Sequence, residues 1–283
     1  MLAHRGIRFS AALFLAAALA WSQGGSNAAR AQPNAGPREI YQLSDLSGRV
    51  QLVLGYANEA LAKRQAQFTA EQLEVAKQVI REQFAAEKLE RRLLQILEKQ
   101  ARGEYRNDAL EWLRTPLGRK IMQVRIASYA PVDPAEMADF AEQKRANPPS
   151  QKRLDLIERY SDSALLSSME SMTVLLASYG VAAMVDALKP EGERLGPEAL
   201  MKSMNSQRAL LEPIFEETSA ITSLFAFRNL SDEEIEALVA FSESEAGQWY
   251  HGTTSSAFLE TLHETTASLG DAFLAALRAH SKS

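Results

Sequence analysis

Cysteine is absent from the 283-residue chain, and histidine is scarce, with four in total. Without thiols the protein has no disulfides, no cysteine nucleophile, no iron–sulfur cluster and no cysteine-ligated zinc. Aromatic residues make up only 7% of the sequence, and no uncharged hydrophobic run reaches the roughly 20 residues that a membrane-spanning helix needs. What is present, 46% hydrophobic and 24% charged residues, is the composition of a folded globular protein and excludes disordered or collagen-like chains.

The N-terminal segment has the organisation of a secretion signal. Two arginines within the first eight residues precede a 13-residue uncharged run over residues 9–21, and Ala29-Arg30-Ala31 fits a cleavage site. We therefore expect a signal peptide at residues 1–31, cleavage near Ala31, a disordered linker at residues 32–40 and export to the periplasm or the medium. The alternative is an uncleaved amphipathic anchor. After cleavage we expect no stable insertion into the membrane.

Charge is distributed unequally along the predicted mature chain. Residues 32–150 carry a net charge of +2, whereas residues 151–283 carry −10. The acidic half is unsuited to nucleic acid, so we predict no nucleic-acid partner. It is either a docking surface for a basic partner or a solvated helical surface.

Helical periodicity dominates after residue 40, and sustained alternation typical of strands is missing. We predict an all-α helical bundle of two related halves, residues 41–147 and 148–283, separated at Pro148-Pro149. Capping boxes at Thr69 and Ser231 predict helix starts. In the second half we expect one long helix over residues 151–188 with a weak point at Gly180, followed by a helix interrupted by Pro213.

A short motif recurs when residues 101–121 are laid over residues 230–250. Its three positions are an aromatic residue, a hydroxyl residue and a glycine: Trp112, Thr115 and Gly118 in the first half, and Phe241, Ser244 and Gly247 in the second. The hydroxyl residues are suited to cap a new helix. A glycine in a helix costs about 1 kcal/mol relative to alanine, so we expect it to permit close approach of another helix, and we interpret the motif as a diverged duplication.

The first copy resembles a known family signature. Residues 112–120, WLRTPLGRK, match the aromatic-x-x-(Thr/Ser)-Pro-x-Gly-basic-Lys pattern, with Pro116 at the proline, of the exported bacterial helical family catalogued as domain of unknown function twenty-fifty-nine. Residues 241–248 are similar but depart from it, with Glu245 at the proline and Trp249 at the lysine. The resemblance implies a secreted or periplasmic α-helical domain and brings no activity with it.

Motifs for chemistry are few. Glu260-x-x-His263 has the spacing of a di-iron ligand pair, but a second such pair is missing, and no zinc, phosphate-loop or nucleophile-elbow motif occurs. We predict no catalytic, cofactor-binding or metal site, and an enzyme is the least favoured class. Two features favour binding instead: Trp249 as a contact residue, and methionines of the second half that either fill the core or line an apolar groove, namely Met169, Met172, Met201 and Met204.

The predicted function is therefore a non-catalytic binding or protein-interaction module of the bacterial envelope. The alternative is a carrier that holds a small apolar or lipid-like ligand between helices. The corresponding partner is an envelope protein in the first case and a small apolar molecule in the second.

Overall fold

The computed structural model describes residues 36–281, apart from the side chains at positions 209, 212, 216 and 217. The signal peptide predicted at residues 1–31, its cleavage site and the first part of the predicted linker lie outside the described residues. The prediction of a disordered linker is wrong for residues 37–40, because a helix begins at Pro37 and Ile40 is buried.

The described part of the chain is all-α, as predicted: it contains helices, turns and loops but no strand. Short 3-10 turns lie at Gln65–Gln67 and Glu191–Glu193. The helices are α1 (Pro37–Leu43), α2 (Leu46–Ala62), α3 (Ala70–Gln83), α4 (Ala86–Gln100), α5 (Tyr105–Arg114), α6 (Pro116–Ala127), α7 (Pro134–Ala146), α8 (Gln151–Ser163), α9 (Leu166–Ala187), α10 (Gly196–Ala226), α11 (Asp232–Glu243), α12 (Glu245–Ala267) and α13 (Leu269–His280).

Local helix-start signals are confirmed. The Thr69 hydroxyl accepts from the Gln72 amide at 3.2 Å, and the Gln72 side chain accepts from the Thr69 amide at 2.9 Å. Ser231 and Glu234 form the same reciprocal pair at the start of α11. Both boxes satisfy amides that a helix start leaves without partners, which is why a four-residue pattern is sufficient to place these ends.

Two predictions in the second half are wrong. The helix expected over residues 151–188 is broken at Ala164 and Leu165, where Leu165 adopts a left-handed φ of 56°, and not at Gly180. Gly180 lies inside α9, where a side chain would collide with Leu269. The helix expected to be interrupted at Pro213 is continuous through it: the proline removes one hydrogen bond, while α10 as a whole packs against α9.

Helix α9 lies at the centre of the fold. It packs against α2 from the first half of the chain and against α10, α12 and α13 from the second, while α12 also contacts α4 and α5. One large hydrophobic core therefore includes residues from both predicted halves. Helix α9 is long and apolar enough to cross a membrane by length and composition, a test that a mostly buried core helix also passes, and half of its residues are buried inside the protein.

Candidate functional site

A buried group of charged side chains joins α2 to α6. Asp45, at the N-terminal end of α2, accepts hydrogen bonds at Oδ2 from Arg49 Nε at 3.2 Å, Arg125 Nη2 at 2.9 Å and the Tyr129 hydroxyl at 2.7 Å. We call these four residues the Asp45 cluster. Burial acts to raise the pKa of Asp45, but the two guanidinium groups and the Tyr129 hydroxyl hold that pKa well below its usual range. Asp45 is therefore a carboxylate inside the protein.

A cavity of about 460 Å³ lies beside this cluster, between α2, α6, α9, α10 and α12. Carbon atoms form most of its surface, contributed by Leu52, Leu166, Met169, Ala226 and Phe258. We call it the central cavity.

The central cavity is polar at its inner end and reaches solvent at its outer end. Arg49 and Arg125 are each only 7% exposed and line the inner wall. The exposed lining residues Gly55, Pro131 and Thr222 form the rim. An apolar cleft with a few convergent polar groups is the usual form of a small-molecule site.

A second polar pair, Tyr56 and Glu170, also lines the central cavity. The Tyr56 hydroxyl on α2 donates to Glu170 Oε1 on α9 at 3.2 Å. Burial raises the pKa of Glu170, although the Tyr56 hydrogen bond and the positive charge of Arg125 oppose that shift. Glu170 therefore takes up a proton more readily than an exposed glutamate does.

No functional role was predicted from the sequence for the four residues of the Asp45 cluster or for Tyr56 and Glu170. One signal was available for Arg125, which follows Ile121 by four residues and Met122 by three and so lies on the buried face of α6. Arg49 follows Asp45 by four residues, which is the spacing of a helical ion pair. Their convergence with Tyr56 and Glu170 depends on the packing of α2 against α6 and α9.

The recurring motif forms one junction rather than two separate ones. The rings of Trp112 and Phe241 stack on each other with centroids 3.9 Å apart and planes 5° apart. Trp112 lies in the last turn of α5, in the first predicted half, and Phe241 lies in the last turn of α11, in the second. The stack therefore joins the two predicted halves.

The two capping hydroxyls make the same contacts. Thr115 Oγ1 accepts from the Gly118 amide at 2.9 Å and donates to the Trp112 carbonyl at 2.7 Å. Ser244 Oγ accepts from the Gly247 amide at 3.1 Å and donates to the Phe241 carbonyl at 2.6 Å. Both predicted N-caps are confirmed, and Pro116 occupies the first turn of α6.

The motif glycines are tightly enclosed, but by a different neighbour from the one expected. A side chain on Gly118 would collide with the carbonyl oxygen of Trp112, and one on Gly247 with that of Phe241. Each glycine therefore lies close to the C-terminal end of the preceding helix, α5 for Gly118 and α11 for Gly247, and not to a helix that is distant in sequence.

The remaining predicted site residues lie in different places. The Trp249 indole N–H donates to the Arg102 carbonyl at 3.0 Å, so this side chain contacts the loop between α4 and α5. Met204 packs with Leu175 and Tyr179, and Met172 and Met201 pack against that small cluster. Of the four groove methionines, only Met169 lines the central cavity.

Among the described residues, no group of three or more histidine, aspartate or glutamate side chains is arranged to hold a metal ion. Glu260 accepts instead from the Gln100 amide nitrogen at 2.6 Å. Its spacing partner, His263, is exposed on α12.

His251 is buried among aromatic rings near the junction formed by Trp112 and Phe241. Its Nε2 lies 3.1 Å from the Ser242 hydroxyl, and its Nδ1 has no hydrogen-bond partner among the described residues. Burial lowers the pKa of His251 to about 3, with a further lowering from the charge of Arg49. Folded His251 is therefore neutral at pH values where an exposed histidine is charged.

Mild acid should weaken the fold through His251. Between about pH 6.5 and pH 3 the unfolded chain binds one more proton at this residue than the folded chain does, so stability falls as pH falls. From pH 7 to pH 5.5 we expect a loss of about 1 kcal/mol in the free energy of unfolding. Urea titrations of the wild type and of His251→Gln at both pH values measure it, and an equal loss in both proteins would contradict the assignment.

Comparison of the chain with protein-family models, with curated proteins and with solved structures finds no match. The resemblance of residues 112–120 to the exported helical family therefore stays a prediction.

Proposed function

We propose that this protein is a non-catalytic binding protein that carries a small amphipathic molecule in the central cavity. The observation that carries the proposal is the cavity itself. Its volume of about 460 Å³ falls in the range of roughly 300–1,000 Å³ that small-molecule sites occupy. Carbon-rich walls suit an apolar body, and the polar groups at the inner end suit a polar head.

The energetics of such a ligand are favourable. Each methylene group transferred from water into an apolar cavity contributes about 0.8 kcal/mol, so a chain of several methylenes gives useful affinity. The polar head then fixes the orientation, because Arg49, Tyr56 and Glu170 are held in place by other side chains of the protein. A pre-organised site of this kind loses little entropy on binding.

The proposed location is the bacterial envelope, which rests on the signal-like sequence of residues 1–31. The proposal that the two halves arose by duplication is supported by their matching helix turns, in which Thr115 and Ser244 make the same pair of hydrogen bonds.

A protein-interaction module is the second candidate, and one observation favours it. Leu210 and Ile214 are 72% and 55% exposed, one turn apart on α10. Two large apolar side chains together on one exposed helix face are a feature of interaction surfaces.

Native mass spectrometry of the protein purified from a periplasm tests the carrier. We expect a population that retains a small molecule and so exceeds the mass of the apo chain by a few hundred daltons. A bare chain that also binds no added amphipathic molecule would favour the interaction module.

Blocking the rim should abolish binding. Thr222→Trp places a large ring at the opening of the central cavity, and we expect the retained molecule to disappear from the native mass spectrum. Thr218→Trp is the matched control, since Thr218 is also exposed and lies one turn earlier on α10, but does not line the cavity. The proposal fails if the two variants retain the ligand equally.

A further inference from the structure

The guanidinium group of Arg49 has unused hydrogen-bonding capacity. Its Nε donates to Asp45, but Nη1 and Nη2 donate to no group among the described residues. The side chain is only 9% exposed and lines the central cavity. Nη1 of Arg125, on the opposite helix of the same cluster, is also unused. Because both side chains line the cavity, these nitrogens can donate to a ligand that enters it.

The charges around the cavity give the sign of that ligand. The Asp45 carboxylate neutralises one of the two buried guanidinium groups, which leaves one positive charge at the inner end. Glu170 is the other acid near this end; its Oε1 accepts from the Tyr56 hydroxyl, and burial raises its pKa, which eases its neutralisation. Glu59, on the rim, is exposed and pairs with Lys63 at 2.7 Å.

We propose that the bound molecule is an amphipathic monocarboxylic acid of the fatty-acid class, whose carboxylate accepts hydrogen bonds from Arg49. This inference rests on the proposed function and names its ligand. A planar carboxylate matches the two Nη donors of a guanidinium group, and its negative charge complements the Asp45 cluster, in which two guanidinium groups share one carboxylate. The acyl chain then lies against Leu52, Met169 and Phe258.

Other head groups fit less well. A cationic head would lie beside two guanidinium groups and be repelled. A neutral alcohol could accept a hydrogen bond from Arg49 but would leave the buried positive charge without a counter-ion. Selectivity for the carboxylate over the alcohol and the amine is therefore the property that distinguishes this inference from binding by the apolar walls alone.

Isothermal titration calorimetry with laurate, dodecanol and dodecylamine tests the predicted selectivity for a carboxylate, because these three twelve-carbon molecules differ in the head group. We expect the protein to bind laurate more than about tenfold more tightly than dodecanol, since hydrogen bonds to charged groups are worth at least that factor, and to bind dodecylamine most weakly. Equal affinity for laurate and dodecanol would overturn the carboxylate assignment and leave the carrier proposal standing. If none of the three binds, the proposed function itself fails.

Arg49→Gln tests the residue. Asp45 keeps Arg125 and Tyr129 as partners in this variant, so its carboxylate stays paired. We expect laurate affinity to fall by about tenfold while dodecanol affinity is unchanged. Arg38→Gln is the control, because Arg38 is exposed and does not line the cavity. A variant that binds both ligands less tightly by the same factor would assign Arg49 a structural role only, and would overturn the inference. The wild-type comparison needs no variant and decides the ligand class if Arg49→Gln fails to fold.

Discussion

Replacement of Asp45 by alanine is expected to lower the free energy of unfolding by about 3–5 kcal/mol. The substitution leaves Arg49 and Arg125 buried as two like charges without the carboxylate that now accepts from both. Removing one member of a buried ion pair is more costly than the pair is worth, because the remaining charges keep their desolvation penalty. Chemical denaturation followed by circular dichroism measures the change.

The control for this prediction is an exposed ion pair. Glu59→Gln removes the partner of Lys63, and both of those side chains are more than half exposed. We expect a change within about 0.5 kcal/mol there, as for most surface pairs. If Asp45→Ala and Glu59→Gln shift the unfolding midpoint equally, the Asp45 cluster does not stabilise the fold.

Gly247→Ala is expected to lower the free energy of unfolding by about 1–3 kcal/mol. The new methyl group would overlap the carbonyl oxygen of Phe241 and crowd the Cα of Ser242, and both are backbone atoms that cannot move aside. Relief requires α11 and α12 to separate at the turn between them, which also disturbs the Ser244 cap. Gly118→Ala should act in the same direction, because its methyl group would meet the Trp112 carbonyl.

Gly252 provides the matched control for Gly247 on the same helix. It is exposed, and a side chain there would meet no atom within 4 Å. Gly252→Ala should therefore raise the free energy of unfolding by up to about 1 kcal/mol, which is the difference in helix propensity. Thermal or urea denaturation of the two variants should give shifts of opposite sign, and shifts of the same sign would contradict the packing argument.

Features of the fold that depend on a few adjacent residues could be predicted from the sequence. Thr69, Ser231, Thr115 and Ser244 all cap helices as expected, because a cap is a local arrangement of a side chain and the next three amides. The break at Leu165 and the continuity of α10 through Pro213 could not be predicted. Both depend on how α9 packs against its neighbours, which outweighs local preference.

The candidate site was less predictable than the fold. Asp45 and Arg125 are 80 residues apart in sequence, and Tyr56 and Glu170 are 114 apart, so no spacing rule connects them. The recurring aromatic motif was visible because its residues are close together in each copy. That Trp112 and Phe241 stack on each other was not visible, since only the three-dimensional arrangement brings α5 and α11 together.

The packing of α12 against α4 and α5 has a consequence for the order in which the chain folds during synthesis. Helices α1 to α5 leave the ribosome first, but part of the surface that covers α4 and α5 is supplied by Glu245–Ala267, near the end of the chain. Contacts of such long sequence separation form slowly, because a long loop must close before they are made. The first half of the nascent chain therefore cannot complete its core until translation is almost finished.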